Sequence, residues 1–202
     1  MEIELLPYNL PDRDLINSGT PGAMVWRPQQ TTLVLGQSNK PESSLNVDQV
    51  LKDEIPVMKR NSGGETVILT PETLVISVVF VTEGFENPST YFRKINQNIM
   101  TVLQDLGVEG LEQKGISDIS KGNKKILGSS IYRHRAALLY HAVLNISESP
   151  ELMERYIAHP PKEPDYRKGR SHAEFVTSLR ELGCNVDIEK LREALESGMM
   201  MM

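Results

Sequence analysis

The amino-acid sequence predicts an α+β domain with a mostly antiparallel or mixed central sheet flanked by helices. Three observations lead there. Apolar residues gather in short dense runs, in two sets on either side of one long amphipathic stretch. The gaps between runs are too short for helical crossovers, which favours antiparallel pairing. No internal repeat or low-complexity linker divides the 202 residues, so a single domain is expected.

Ile3 to Leu6 reads as a first strand, and Pro7, Pro11, Gly19, Pro21 and Gly22 then punctuate a loop reaching Ala23. Met24 to Arg27 and Thr31 to Leu35 follow as two strands around a turn holding Pro28, the pattern of a hairpin, with Gly36 ending the second. Val47 to Lys52 reads as a short helix. Val57 to Lys59, Thr66 to Leu69 and Leu74 to Val81 give three strand signals in close succession, expected to pair antiparallel. The clearest helix spans Asn87 to Leu106, where Phe92, Ile95, Ile99, Val102, Leu103 and Leu106 recur at helical spacing. Ser89 or Thr90 is expected to cap it and Gly107 to stop it.

Val108 to Leu111, Ile116 to Ile119, Lys125 to Leu127, Ser129 to Arg133 and Leu138 to Leu144 read as a second set of strands, with Gly122 and Asn123 turning between two of them. Leu152 to Ile157 suggests a short helix, and Pro160, Pro161, Pro164 and Gly169 mark a surface loop. Phe175, Val176, Leu179 and Leu182 repeat at helical spacing, and Leu191 to Leu195 forms a last short helix. Residues 1–198 are expected to form one domain, with Met199 to Met202, which carry no structural reading, as a tail.

Composition excludes several classes. The chain carries 22 Lys and Arg against 27 Asp and Glu, a formal net charge of −5, which leaves no overall basic field for a nucleic-acid backbone. The longest apolar run, Leu74 to Val81, is interrupted by Ser77 and is too short to cross a bilayer. Glu2 and Glu4 open the N-terminus, unlike a signal peptide. Cys184 is the only cysteine, so neither an internal disulfide nor a cysteine-cluster metal site is available, and a reducing cytoplasm is expected.

Two stretches carry chemistry. Lys59 to Val67 sets a basic pair and the Gly63–Gly64 pair between strand signals. Bare glycine backbone admits a charged ligand, and adjacent N–H groups can cradle an anion; a tight turn with a solvated Arg60 is the plainer reading. Lys121 to Ser130, with Asp118 upstream, brings Lys125 into a strand ahead of Gly128, Ser129 and Ser130. An ammonium there suits a phosphate or a carboxylate becoming an adenylate, against the plainer reading of a charged hairpin turn.

Taken in order, these segments resemble the lipoate-protein ligase family, of the wider biotin and lipoate ligase superfamily, over roughly Thr31 to Asn145. Gly36-Gln37-Ser38-Asn39-Lys40-Pro41, with Asn46 after it, resembles the Gly-x-x-Gln-Asn-Pro type loop and its later Asn. Arg60-Asn61-Ser62-Gly63-Gly64 resembles the Arg-Arg-x-Ser-Gly-Gly-Gly signature, and Asp118 with Lys125 to Ser130 resembles the Asn-Asp and Lys-x-x-Gly-Ser-Ala pair. His141 to Leu144 is similar to the His-Gly-Thr-Leu strand that follows. Lys59 replaces the first Arg, Glu65 the third Gly, Leu69-Thr70 the expected His-Asp, and Ala142-Val143 a Gly-Thr.

The resemblance implies a biotin/lipoate ligase-like catalytic domain that joins lipoate to ATP as lipoyl-AMP and passes the lipoyl group to a lysine of a lipoyl-domain acceptor protein. It makes Lys125 the catalytic cation, and Gly36, Asn39, Arg60, Ser62, Gly63, Gly64, Asp118, Gly128 and Ser129 the substrate and nucleotide contacts. Gly63 and Gly64 would shape the loop over the acyl-adenylate, Arg60 would neutralise charge beside it, and Asp118 would meet the adenylate or Mg²⁺. His141 reads as an interior histidine outside the catalytic set. On this resemblance no accessory C-terminal domain of the one-chain ligase kind is expected after the last helix, and either a partner subunit would supply it or the lineage would dispense with it. Related octanoyl and lipoyl transferases of this fold use a cysteine thioester. Leu111 to Gly115 and the region beyond Lys125 lack that cysteine, and Cys184 reads as a small buried apolar residue. A non-catalytic lipoyl-binding module is a third reading, resting on Glu65. The basic segment Tyr166 to His172 reads as a solvated loop, or as a mobile lid or docking surface.

Overall fold

A computed structural model describes residues 2–18, 20–81, 87–134 and 136–202; Gly19, read above as a loop glycine, lies outside them. The elements run β1 (Leu5–Pro7), α1 (Arg13–Ser18), β2 (Gly22–Trp26), β3 (Thr32–Leu35), α2 (Pro41–Ser44), α3 (Val47–Lys52), β4 (Val57–Lys59), β5 (Val67–Leu69) and β6 (Thr73–Val81). After them come α4 (Pro88–Asp105), β7 (Leu111–Lys114), β8 (Asp118–Lys121), β9 (Lys124–His134), β10 (Ala137–Asn145), α5 (Pro150–Tyr156), α6 (His172–Phe175) and α7 (Ile188–Met200). The α+β class is as expected, and α3 and β4 have the expected bounds.

The strands form two sheets, ordered β1-β4-β3-β5 and β2-β6-β10-β9-β8-β7. The second is antiparallel throughout. In the first, β4 lies parallel to both β1 and β3, and β5 closes antiparallel on β3. Two expectations are overturned. β2 and β3 are no hairpin, because they belong to different sheets; β3 is buried on both faces, so no alternation marked its partner. β4, β5 and β6 do not pair with one another either. α2 and α3, between β3 and β4, supply the crossover that a parallel pair needs.

Helices cover the outer faces. α4 and α7 place Phe92, Ile95, Ile99, Leu103, Leu191 and Leu195 against Ile76, Tyr140 and Leu144 of the six-stranded sheet. α3 and α5 back the smaller sheet, with Val50 and Tyr156 beside Leu33 and Leu35. Each such apolar side chain contributes about 1.5–3 kcal/mol by leaving water. Trp26, Val34, Leu69 and Val75 pack between the sheets. The layers are therefore helix, sheet, sheet, helix: the expected flanking helices are present, but they enclose two sheets in place of one central sheet.

Local details also differ. The cap of α4 is Asn87, whose side chain accepts from the Ser89 amide, with Pro88 in the first turn where a missing N–H costs nothing. The loop before Ala23 contains α1. Val108 is buried in the core ahead of β7 rather than lying in a strand. The helical spacing from Phe175 to Leu182 is not a helix: Thr177 N donates to Lys125 O at 2.9 Å and Leu179 N to Asn145 O at 3.1 Å, so these amides bond to the sheet. α7 extends well past Leu195, and Met199, assigned to a tail beyond the domain, is in the main core.

One irregularity fixes the site. Ile119 of β8 faces Leu127, yet Ser120 faces Lys125, so β9 carries one extra residue at Ile126. Ile126 and Leu127 consequently both enter the helix-side core, and Lys125 and Gly128 share the opposite face, toward the smaller sheet.

Candidate active site

Between the two sheets runs a cleft of two lobes, of about 160 and 120 Å³, whose shared walls are Glu65, Thr66, Val67, Lys125, Gly128 and Val143. The inner lobe adds Tyr8, Val34, Leu69, Val75 and His141. The outer lobe is walled by Met153, Ile157, Pro160, Pro164, Arg167 and Phe175.

Lys125 stands at the junction, its Nζ 2.8 Å from Asp118 Oδ1. Its side chain folds across Gly128, where a Cβ would lie 2.6 Å from Nζ. The other carboxylate oxygen, Oδ2, accepts from the Tyr166 hydroxyl at 2.8 Å. Asp118 thus orients the ammonium from beneath and does not itself line either lobe.

Arg60 acts differently from the sequence reading. It is only 6% exposed, and its guanidinium donates to Val34 O, Ser62 Oγ, Gly63 O and Glu65 O at 2.8–3.0 Å. Those bonds clamp the 60–65 loop onto β3, so Arg60 organises the loop and is not the solvated side chain of the plainer reading. Burial pulls its pKa down to about 10, which leaves it charged at neutral pH. The second glycine of the pair, Gly64, has φ +88°, and a Cβ at Gly36 would meet Gly64 O at 1.9 Å, so the two loops touch through bare backbone. Asn39 completes the seam: Oδ1 accepts from Gly36 N at 2.9 Å and Nδ2 donates to Glu65 Oε2 at 3.2 Å.

Behind the inner lobe, His141 Nε2 is 2.5 Å from Ser62 Oγ. Ser62 Oγ also accepts from Arg60 Nε and from Ser130 Oγ, at 2.9 and 3.2 Å, so its own proton is left for His141. Nε2 is then the acceptor and the ring proton sits on Nδ1. Burial, reinforced by Arg60, lowers the His141 pKa to about 3, in keeping with a neutral ring. The expectation of an interior histidine stands, but this one borders the cleft.

The segment Tyr166 to His172 is no solvated loop. Arg167 is 4% exposed, bonds to Arg170 O at 2.9 Å and lies 4.9 Å from the Phe175 ring centre. Arg170 takes the same ring at 5.2 Å and donates to Asn123 O. With two arginines on one phenyl ring and Lys168 and Gly169 left exposed, the segment packs as a wall of the outer lobe.

Of the residues singled out from the sequence, Lys125, Arg60, Gly64, Gly128 and Ser129 line the cleft. Gly36, Asn39, Ser62, Gly63 and Asp118 build its supports. Tyr8 and Phe175 were missed, while Thr66, Val67, Tyr166 and Arg167 lay in stretches the sequence had flagged without receiving a role of their own. Mg²⁺ at Asp118 does not fit as a resident ion: both oxygens are engaged, one by an ammonium, and among the described residues no group of three or more His, Cys, Asp or Glu could hold a metal. Cys184 is partly buried against the helix-side core and lines neither lobe. Among the described residues, no helix is long and apolar enough to cross a membrane.

The architecture recurs in solved structures. A bi-partite lipoate protein ligase from Thermoplasma acidophilum, studied with its E2 lipoyl domain, superposes with a TM-score of 0.77 at 22% identity, over 98% of this chain and 82% of that one. A lipoate-protein ligase A bound with ATP gives 0.75 at 22% identity, over 98% and 84%. At these identities the likeness shows the fold. Among curated relatives, an octanoyltransferase LipM from Oceanobacillus iheyensis is 24% identical, covering 88% of this chain and 72% of its own length. Lipoate-protein ligase A subunit 1 from Thermoplasma acidophilum is 24% identical over 83% and 66%, and lipoate-protein ligase A from Psychrobacter cryohalolentis 22% over 93% and 55%. The chain thus spans between about half and three quarters of these relatives. Residues 13–200 match the model of the lipoyl protein ligase A/B catalytic domain, and with nearly its whole length inside that match the chain belongs to this family.

Proposed function

We propose that this chain is the catalytic chain of an ATP-dependent lipoate-protein ligase. The observation that carries the reading is the Lys125 ammonium at the junction of two lobes that no thiol lines. The inner lobe, with Val34, Leu69 and Val75, suits the acyl chain; the larger outer lobe, with Lys162 and Arg167 in its walls, suits the nucleotide. Their junction is where a carboxylate would meet an α-phosphate.

In the first step a carboxylate oxygen attacks the α-phosphorus of ATP, forming acyl-AMP and releasing pyrophosphate. Lys125 offsets the mutual repulsion of the two anions and the charge that builds on the phosphoryl oxygens. In the second, a lysine amine of a lipoyl domain attacks the acyl carbon, AMP departs, and the same ammonium faces the developing oxyanion. Mg²⁺ would reach the cleft on the nucleotide phosphates.

An octanoyltransferase is the second reading, favoured by the likeness to the Oceanobacillus relative. A thioester route needs a nucleophilic thiol at the site. Cys184, the chain's single cysteine, lines neither lobe. The subunit status of the Thermoplasma relative supports an accessory chain working beside residues 1–198, and the lone cysteine suits a reducing cytoplasm.

The test incubates purified protein with lipoate, ATP, Mg²⁺ and an apo lipoyl domain, read by intact mass and pyrophosphate release. ATP-dependent lipoylation that disappears in Lys125→Ala, with circular dichroism unchanged, is the expected result. Transfer from an octanoyl carrier protein without nucleotide would replace it with the transferase reading.

A further inference from the structure

We propose that Tyr166 is a positioning residue for Lys125, acting through Asp118. This rests on the reading of Lys125 as the cation of acyl transfer.

The geometry is a chain of two bonds through one carboxylate. Tyr166 Oη donates to Asp118 Oδ2 at 2.8 Å, and Asp118 Oδ1 receives the Lys125 ammonium at 2.8 Å. Asp118 is 7% exposed, so water cannot readily replace either partner. With Oδ2 fixed by a hydroxyl, the carboxylate cannot turn about its own axis, and Oδ1 stays aimed at Nζ. Without that bond the carboxylate could swing, and the lysine, with its flexible four-carbon stem, would follow.

Tyr166 is itself held firmly. Its ring packs 5.1 Å from that of Phe175, Lys114 Nζ lies 5.7 Å above it, and a Cβ added at Gly115 would stand 3.7 Å from Cε1. Burial and Asp118 keep the phenol well above its ordinary pKa, so it remains a neutral donor. The residue sits in the 158–176 segment that walls the outer lobe through Pro164, Arg167 and Phe175. The segment bounding the nucleotide lobe thereby also sets the aim of the cation at the junction.

The experiment compares Tyr166→Phe, which keeps the ring and removes only the hydroxyl, with wild type and with the same change in an Asp118→Ala background. Turnover should fall roughly tenfold in kcat, with KM for lipoate and ATP within about twofold. In the Asp118→Ala background the further loss should be under about twofold, since the path is already cut. Carbon-13 lysine NMR adds a readout independent of turnover. The two Lys125 Hε protons should be distinct in wild type and merge in Tyr166→Phe as the side chain becomes mobile. Unchanged kcat and unchanged Lys125 resonances in Tyr166→Phe, with Lys125→Ala inactive, would overturn the positioning role alone. Full activity of Lys125→Ala would overturn the functional reading, while the NMR arm would still report whether Tyr166 restrains the lysine.

Discussion

The side chain of Lys125 lies across the α-carbon of Gly128, so close that a single methyl group there would fall 2.6 Å from Nζ and 2.7 Å from Cε. A strand residue has become the floor on which a cation rests. The far end of a flexible side chain yields more easily than backbone, so the conflict would be resolved by moving the lysine.

Gly128→Ala should therefore leave the fold nearly unchanged and lower acyl transfer by roughly tenfold or more, because a displaced ammonium no longer meets the reacting oxygens. Thermal melting and turnover measured side by side test this. A loss of stability matching the loss of activity would mean that the glycine is needed for the strand and not for the lysine.

Arg60 gives the opposite expectation. Its guanidinium satisfies the Val34, Gly63 and Glu65 carbonyls inside the protein. Arg60→Met fills similar space but strands those acceptors, and should cost about 3 kcal/mol or more in urea denaturation. Arg60→Lys should recover only part of it, since one ammonium cannot span the fork.

His141 makes stability depend on pH. Its folded-state pKa, near 3, lies below the ordinary value, so between about pH 6.5 and 3 the unfolded chain binds a proton that the folded chain refuses. The stability from this group is complete above pH 6.5 and falls as the pH drops, by about 1.4 kcal/mol per pH unit. His172, lowered to about 4 by burial and Arg167, acts in the same direction. His141→Gln should flatten the slope between pH 6 and 4, and an identical slope in the variant would remove His141 as its source.

The two arginines on Phe175 make a stability prediction. Arg167→Ala removes a ring contact, a bond to Arg170 O and an ion pair with Glu163 at 3.4 Å, and should cost about 1–2 kcal/mol. Lys168, exposed beside it, should be replaceable by Ala at little cost. Equal melting temperatures for the two variants would return the segment to a solvated loop.

Residue type and local spacing drew attention to the right stretches, and the family resemblance supplied the roles. Lys125, Gly128 and Ser129 were singled out by their neighbours, and α3 and β4 were bounded by their own apolar pattern. What failed was pairing at a distance. β2 and β3 lie close in sequence and fall in separate sheets, and β4 lies between two parallel partners; β3 is buried along its whole length and β6 along nearly all of its own, so alternation no longer marks the neighbour. Arg60 was found by its motif, but its clamp on the 60–65 loop was not foreseen, since its partners are mostly carbonyls, which a sequence does not display. Tyr166 lay in a flagged basic segment, but its tie to Asp118 gave no signal, because that bond spans 48 positions.

Lys125 also acts as a register pin for its own strand. If the bulge at Ile126 were straightened so that β9 alternated without interruption back from Leu127, Lys125 would turn toward the helices, among Ile119 and Leu103. Carrying an unpaired ammonium into that interior costs several kcal/mol, a penalty that holds the extra residue where it is. A lysine replaced by an apolar residue of similar length would escape the penalty, and the strand would be free to slip by one. Inactivity of Lys125→Met would then mix a missing charge with a shifted backbone, whereas Lys125→Gln keeps a polar group that resists burial and separates the two.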